Sequence, residues 1–303
     1  MKYFVLLLAI IITLNTSAQQ TLAEKLGYPK NTKLLIIHAD DIGVSHSENV
    51  ATISAMEKGS VSSGSIMVPC PWMPEIATYA KAHPNADLGL HLTLTAEWKE
   101  YKWGPVLPRT EVPSLVNDRG FFPDNVEDVA KNAKAADVEK ELRAQVERSK
   151  QFGIDPTHFD THMGSVFATP ELAAIYIKLS MEYKVPILLP MEAKALAGDL
   201  PNLVFMDKLI MAAPEDFKGG MKSFYTKALK ELPGGFNVLL LHAAHDDSEM
   251  KAVTIDHADY GAAWRQADYD FFTSEDCKKL LKENNIKVIT WKEIRDKVVR
   301  KQN

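Results

Sequence analysis

The sequence predicts an α/β fold of the barrel type, and three observations carry that expectation. About seven short apolar runs recur along the chain, most of them followed by a helical stretch, which is the pattern of βα units. Neither repeats nor linkers interrupt the alternation. Polar residues able to bind ligands sit just after the runs, where the strands of a parallel barrel end and its chemistry gathers.

The fold is expected to begin after residue 18. Lys2 supplies a positive charge, residues 4–14 form an apolar run, and Thr16-Ser17-Ala18 offers small residues at a cleavage position. As a helix that run reaches only about 16 Å, against about 30 Å for a bilayer core. A cleaved export signal, with a periplasmic or secreted product and no stable membrane anchor, is the expectation. The rest, 19–303, reads as one domain.

Residues 33–37 (KLLII) read as a buried strand and 49–58 as the helix after it. Residues 62–68 form the second strand, 75–82 a helix and 87–92 (DLGLHL) the third strand. Residues 95–124 lack periodicity, but Trp98, Tyr101, Trp103, Phe121 and Phe122 predict an ordered loop. Next come a charged amphipathic helix (138–152), a strand (157–160), a helix opened by Pro170 (170–183) and a strand (185–189). Residues 193–220 give no clear signal. A helix (224–231), the strand FNVLLL (236–241), a helix (274–284), a strand (287–289) and a closing helix (291–301) complete the chain.

Composition narrows the function. A formal net charge of -5 offers no basic footprint for a phosphate backbone, so no nucleic-acid partner is expected. The two cysteines, Cys70 and Cys277, lie far apart and read as buried free thiols.

Four strands deliver carboxylates or imidazoles to one rim: His38-Ala39-Asp40-Asp41, His91, Asp160-Thr161-His162, and His242 through Asp247. Singly, each has a plain reading, since an Asp pair after a strand is often a turn or a cap. Repetition at four equivalent positions favours a site, and imidazole with carboxylate suits Zn²⁺ and other divalent ions. His46 is assigned to a helix start, His83 to the surface and His158 to packing.

HADDIGVSHSENVATISAMEKGSVSSGSIMVPCPW, DLGLHLTLT and PTHFDTHMG, in that order, resemble the successive blocks of YdjC-like (ChbG/HpnK) carbohydrate deacetylases. The resemblance implies a distorted (β/α) TIM-like barrel of the glycoside hydrolase/deacetylase type. It implies hydrolysis of an acetyl group, usually N-linked, from a sugar with the help of a divalent metal, Mg²⁺ or Zn²⁺. Asp41, His91 and His162 fall on the metal-ligand positions, Asp40 on the general base and His242 on the late histidine acting as acid. Met163-Gly164-Ser165 and HAAHDD depart from the family's usual residues near the sugar, so the sugar itself is not inherited. Asp160 or Asp246 is a candidate to orient an imidazole. Arg265 and Trp264 are candidate substrate contacts, Arg265 by holding a carboxylate or by orienting a catalytic group. Trp72, Trp98 and Trp103 are further candidate stacking rings, with packing the plainer reading for each. A homodimer is compatible with the sequence.

Two rivals differ in chemistry. A glycosidase on a similar barrel would use Asp40 or Asp41 with a distant carboxylate, and leaves His91 and His162 without a role. A non-catalytic periplasmic sugar-binding protein has no need of the Asp/His/His set.

Overall fold

The computed structural model describes residues 20–194, 200 and 203–301; the expected export signal lies outside them. Seven strands, β1 (Lys33–Ile42), β2 (Ser63–Ile66), β3 (Leu88–Leu92), β4 (Phe159–Thr161), β5 (Lys208–Ile210), β6 (Gly235–Leu241) and β7 (Ile286–Val288), form one sheet. Its order is β4-β3-β2-β1-β6-β5, with β7 paired to the beginning of β1, and every pairing is parallel. Leu34 to Ile37 of β1 have no exposed surface. A parallel strand covered on both faces reads as a continuous apolar run, which is why β1 was legible.

The sheet curls into a distorted barrel with an irregular arc between β4 and β5. The strand expected at 185–189 contributes isolated bridges instead, Phe159 with Ile187 and Pro190 with Met206. Pro186 and Pro190 remove two backbone donors from this segment, so no regular ladder can be built there. Beyond it, Asp207 N donates to Phe236 O at 2.7 Å and brings the chain back onto β6. β5 falls in the stretch that gave no sequence signal, since Lys208 and Leu209 are both exposed.

Helices pack outside the sheet. His46–Lys58 starts one turn earlier than expected, because Ser45 Oγ accepts from Glu48 N at 3.0 Å. Such a cap is worth about 1 kcal/mol. The closing helix is shorter than expected, with an α-helical turn at Trp291–Ile294 followed by a π-helical one at Arg295–Val299.

The long loop is ordered, as Trp98, Trp103, Val112, Leu115 and Phe122 are buried in it. The helix Ala135–Gln151 holds it through polar side chains. Glu141 accepts from Val106 N at 2.8 Å and Leu107 N at 3.1 Å, and Gln145 bonds both backbone groups of Thr93 beyond β3. Buried loop backbone needs such partners. Cys70 and Cys277 are buried and free. Among the described residues no helix is long and apolar enough to cross a membrane.

Candidate metal centre and acid–base pair

Neighbouring residues on a strand point to opposite faces, so Asp40 and Asp41 can share a site only where β1 is irregular. It is irregular there. Against β2, Ala39 pairs with Gly64 and Ile42 with Ile66, three steps facing two, so one extra residue bulges out between them. Asp41 takes φ +61° to make the bulge, a left-handed conformation that Asp tolerates better than most side chains. Gly43 follows with φ +97°, but the reversal begins at Asp41 itself.

Both aspartates therefore face the rim. Asp41 Oδ1 lies 3.4 Å from His91 Nε2 and 3.2 Å from His162 Nδ1. On the other side, Asp40 Oδ1 lies 3.2 Å from His242 Nε2. β1, β3, β6 and the turn after β4 thus bring together all five residues that the sequence nominated as metal ligands, base and acid. Asp40, Asp41, His91 and His162 are buried, and His242 keeps 14% of its side chain exposed.

The residues fit a divalent cation. Ligand atoms of Asp41, His91 and His162 lie within 4.8 Å of one another. Asp41 Oδ1 is buried without a hydrogen-bond donor, a costly state for a carboxylate oxygen unless a cation faces it. Two imidazoles and a carboxylate are a donor set that zinc accepts, and three protein ligands leave a position open.

Further groups hold these ligands in place. Arg265, buried, donates from Nη2 to Asp41 Oδ2 at 2.8 Å and from Nη1 to Glu48 Oε1 at 2.5 Å. Asp41 is thereby left with Oδ1 for an ion. Glu97 Oε2 takes His162 Nε2 at 2.8 Å, which leaves Nδ1 as the ligand atom. Asp160 Oδ1 faces His91 Nδ1 at 2.9 Å, too far off line to count as a hydrogen bond but close enough to bias the ring's charge. Carboxylates behind ligating histidines are the usual way to fix ring orientation.

Protonation follows from these contacts. Burial works against the Asp41 carboxylate, but Arg265 and the two histidines outweigh it and hold its pKa well below the usual range. Burial likewise opposes charge on His162, yet Glu97 and Asp41 push it up to about 9. For His91 burial is again outweighed, here chiefly by Asp160, and its pKa rises well above the ordinary value. His242 goes the other way, lowered by burial despite Asp40 beside it. Its backbone N–H donates to Asp268 Oδ2 at 3.0 Å, while Tyr225 donates to Asp268 Oδ1 at 2.6 Å. Burial raises the Asp268 carboxyl to about 7.

Other expectations are corrected. Trp264 is 1% exposed, stacks on Phe217 at 5.0 Å and meets the tilted Tyr260 ring at 4.4 Å, so it is a core residue and offers no face to a sugar. Arg265 spends its guanidinium on Asp41, Glu48 and the Tyr260 carbonyl, and orients a ligand instead of meeting substrate. Trp98 and Trp103 are buried behind the site, with Trp103 5.9 Å from the His162 ring; Trp72 is 39% exposed and lies against His46. Asp246 is exposed beside Lys251 and orients no imidazole, whereas Asp160 faces His91. Glu97, Glu48 and Asp268 escaped the sequence reading. Glu48 lies inside the first block, seven residues after Asp41, and Glu97 lies two residues past DLGLHLTLT, whereas Asp268 left no signal.

The profile of the YdjC-like protein family matches residues 34–283. The chain belongs to that family. A carbohydrate deacetylase of Thermus thermophilus is 31% identical over 289 residues, covering 91% of this chain and 98% of that one. A second, from Geobacillus stearothermophilus, is 36% identical over 152 residues, covering 50% of this chain and 58% of its own. The crystal structure of an Enterococcus faecalis protein named for cellobiose-phosphate cleavage aligns with TM-score 0.75 at 23% identity, covering 87% of this chain and 99% of that one. That likeness shows the fold, a curled parallel sheet with helices around it.

Proposed function

We propose that this YdjC-like protein is a divalent-metal-dependent carbohydrate deacetylase that hydrolyses an acetyl group, N-linked in the first instance, from a sugar. The observation that carries the reading is the orphaned Asp41 Oδ1 between His91 and His162, with the Asp40–His242 pair directly beside it. The deacetylase names of the relatives point the same way. Asp41, His91 and His162 would hold the ion, and the imidazole pair favours Zn²⁺ over Mg²⁺. Bound there, the ion supplies Lewis-acid polarisation of the acetyl carbonyl and a lowered pKa for water.

The chain's own residues do the proton work. Asp40 takes a proton from the attacking water as its oxygen bonds to the acetyl carbon. Asp40 and His242 are near enough for that proton to pass between them. His242 then delivers a proton to the nitrogen as the C–N bond breaks, since an amine is too basic to leave as an anion. The products are acetate and the free amino sugar. The lowered pKa of His242 suits a group that must release its proton readily. Its partial exposure supports a position from which it can meet an entering sugar.

Asp40→Asn tests this reading. Metal content by elemental analysis should match wild type, while acetate release from a panel of acetylated sugars should fall by about a hundredfold or more. Retained turnover would remove Asp40 as the base. Export is part of the same proposal, motivated by residues 1–18, and N-terminal sequencing of the mature protein should begin at Gln19.

A further inference from the structure

Behind His91 a line of buried polar groups runs through the barrel to its far end, and the reaction as described does not use its last members. Asp160 faces His91 with Oδ1 and two other groups with Oδ2: Ser65 Oγ donates to Oδ2 at 2.9 Å, and His38 Nε2 lies 2.9 Å from it. On the far side of the His38 ring, Trp291 Nε1 donates to Nδ1 at 3.0 Å. His38 and Trp291 are fully buried.

The direction of this line is set by chemistry. An indole N–H only donates, so His38 Nδ1 must accept, and the ring carries its hydrogen on Nε2. That hydrogen points at Asp160 Oδ2. In the other tautomer two hydrogens would collide between Trp291 and His38, and a lone pair would face the Asp160 carboxylate. The indole is held firmly, stacked on His158 at 5.3 Å and edge-on to Phe236 at 5.5 Å. It sits on the helix after β7, beyond the residues matched by the family profile.

We infer that Trp291 is a positioning residue: its N–H locks the His38 tautomer, which holds Asp160 in place to orient His91 toward Asp41. The inference rests on the reading of Asp41, His91 and His162 as metal ligands. One of its tests does not need a metal.

In metal-free, ¹⁵N-labelled protein, the ring nitrogens of His38 should show an unprotonated Nδ1 and a protonated Nε2. Trp291→Phe, which keeps the stacking and loses the donor, should add a population that carries a hydrogen on Nδ1. A protonated Nδ1 in wild type would overturn the proposal. The second test is Zn²⁺ affinity by competition with a chromophoric chelator. Trp291→Phe should weaken it about tenfold, the usual size of such an outer contact. His38→Gln keeps an N–H toward Asp160 without needing the indole, so in that background Trp291→Phe should cost less than about twofold, a coupling that separates orientation from packing. Equal losses in both backgrounds, or no loss in the single variant, would overturn it. If Trp291→Phe does not fold, His38→Gln against His38→Leu carries the test, with affinity kept in the first and lost in the second; equal affinities would overturn the proposal. Wild type that binds no Zn²⁺ would sink the metal reading and leave the tautomer result standing.

Discussion

Arg265 reaches the Asp41 oxygen that does not face His91 and His162, with Nη2 2.8 Å from Oδ2, so one oxygen of Asp41 is neutralised and the other is left for a cation. The same guanidinium donates to Glu48, whose own pKa burial raises well above the ordinary value. Arg265→Gln leaves the buried Asp41 carboxylate without its cation and Glu48 without its donor. Breaking a buried pair in this way costs about 3–5 kcal/mol. Urea unfolding of the metal-free variant should show that loss, and added Zn²⁺ should recover part of it. Arg265→Lys should fall between, because a single ammonium cannot bridge both carboxylates as the fork does.

Glu97 is predicted to tune His162. Glu97→Gln keeps the shape but removes the charge facing Nε2, so Zn²⁺ affinity should drop about tenfold. Isothermal titration checks this, and unchanged affinity would mean that the 2.8 Å contact does not act on the ligand.

The metal-free protein should have a characteristic pH response. His162 is raised from 6.5 to about 9 in the fold, so its contribution to stability is full below pH 6.5 and lost as pH rises through 9. His91 shifts in the same direction. Asp41 and Asp160 are lowered, and their contributions hold above the ordinary carboxylate range and fade on acidification. Thermal melts without metal should therefore fall between pH 6.5 and 9. Zn²⁺ affinity should rise over the same interval as the imidazoles give up their protons. A melting temperature that climbs from 6.5 to 9 would contradict the assigned pairings.

Asp268 is predicted to place His242. Its two oxygens accept from the His242 backbone and from Tyr225, and Asn offers only one acceptor. Asp268→Asn should lower kcat about tenfold at little change in KM, with metal content intact. Loss of metal instead would assign Asp268 to the ion site.

Much of this was legible because parallel strands buried on both faces advertise themselves. The runs of β1 and β6 marked their ends, and with them Asp40, Asp41 and His242. β5 was illegible, being three residues long with two exposed. The bulge at Asp40-Asp41 was not legible, since a strand pattern cannot say which residue is the extra one. Arg265 and Trp264 are neighbours on one helix, and sequence alone did not reveal that both are buried. Glu97 belongs to a loop without periodicity, where no register predicts which way a side chain turns.

Acetate release by the wild-type protein after chelation and metal add-back tests the central claim most directly. The account predicts that release from acetylated sugars stops once the metal is stripped and returns with Zn²⁺, and that neither occurs in His91→Ala or His162→Ala. Undiminished release from protein shown to hold no metal would contradict it.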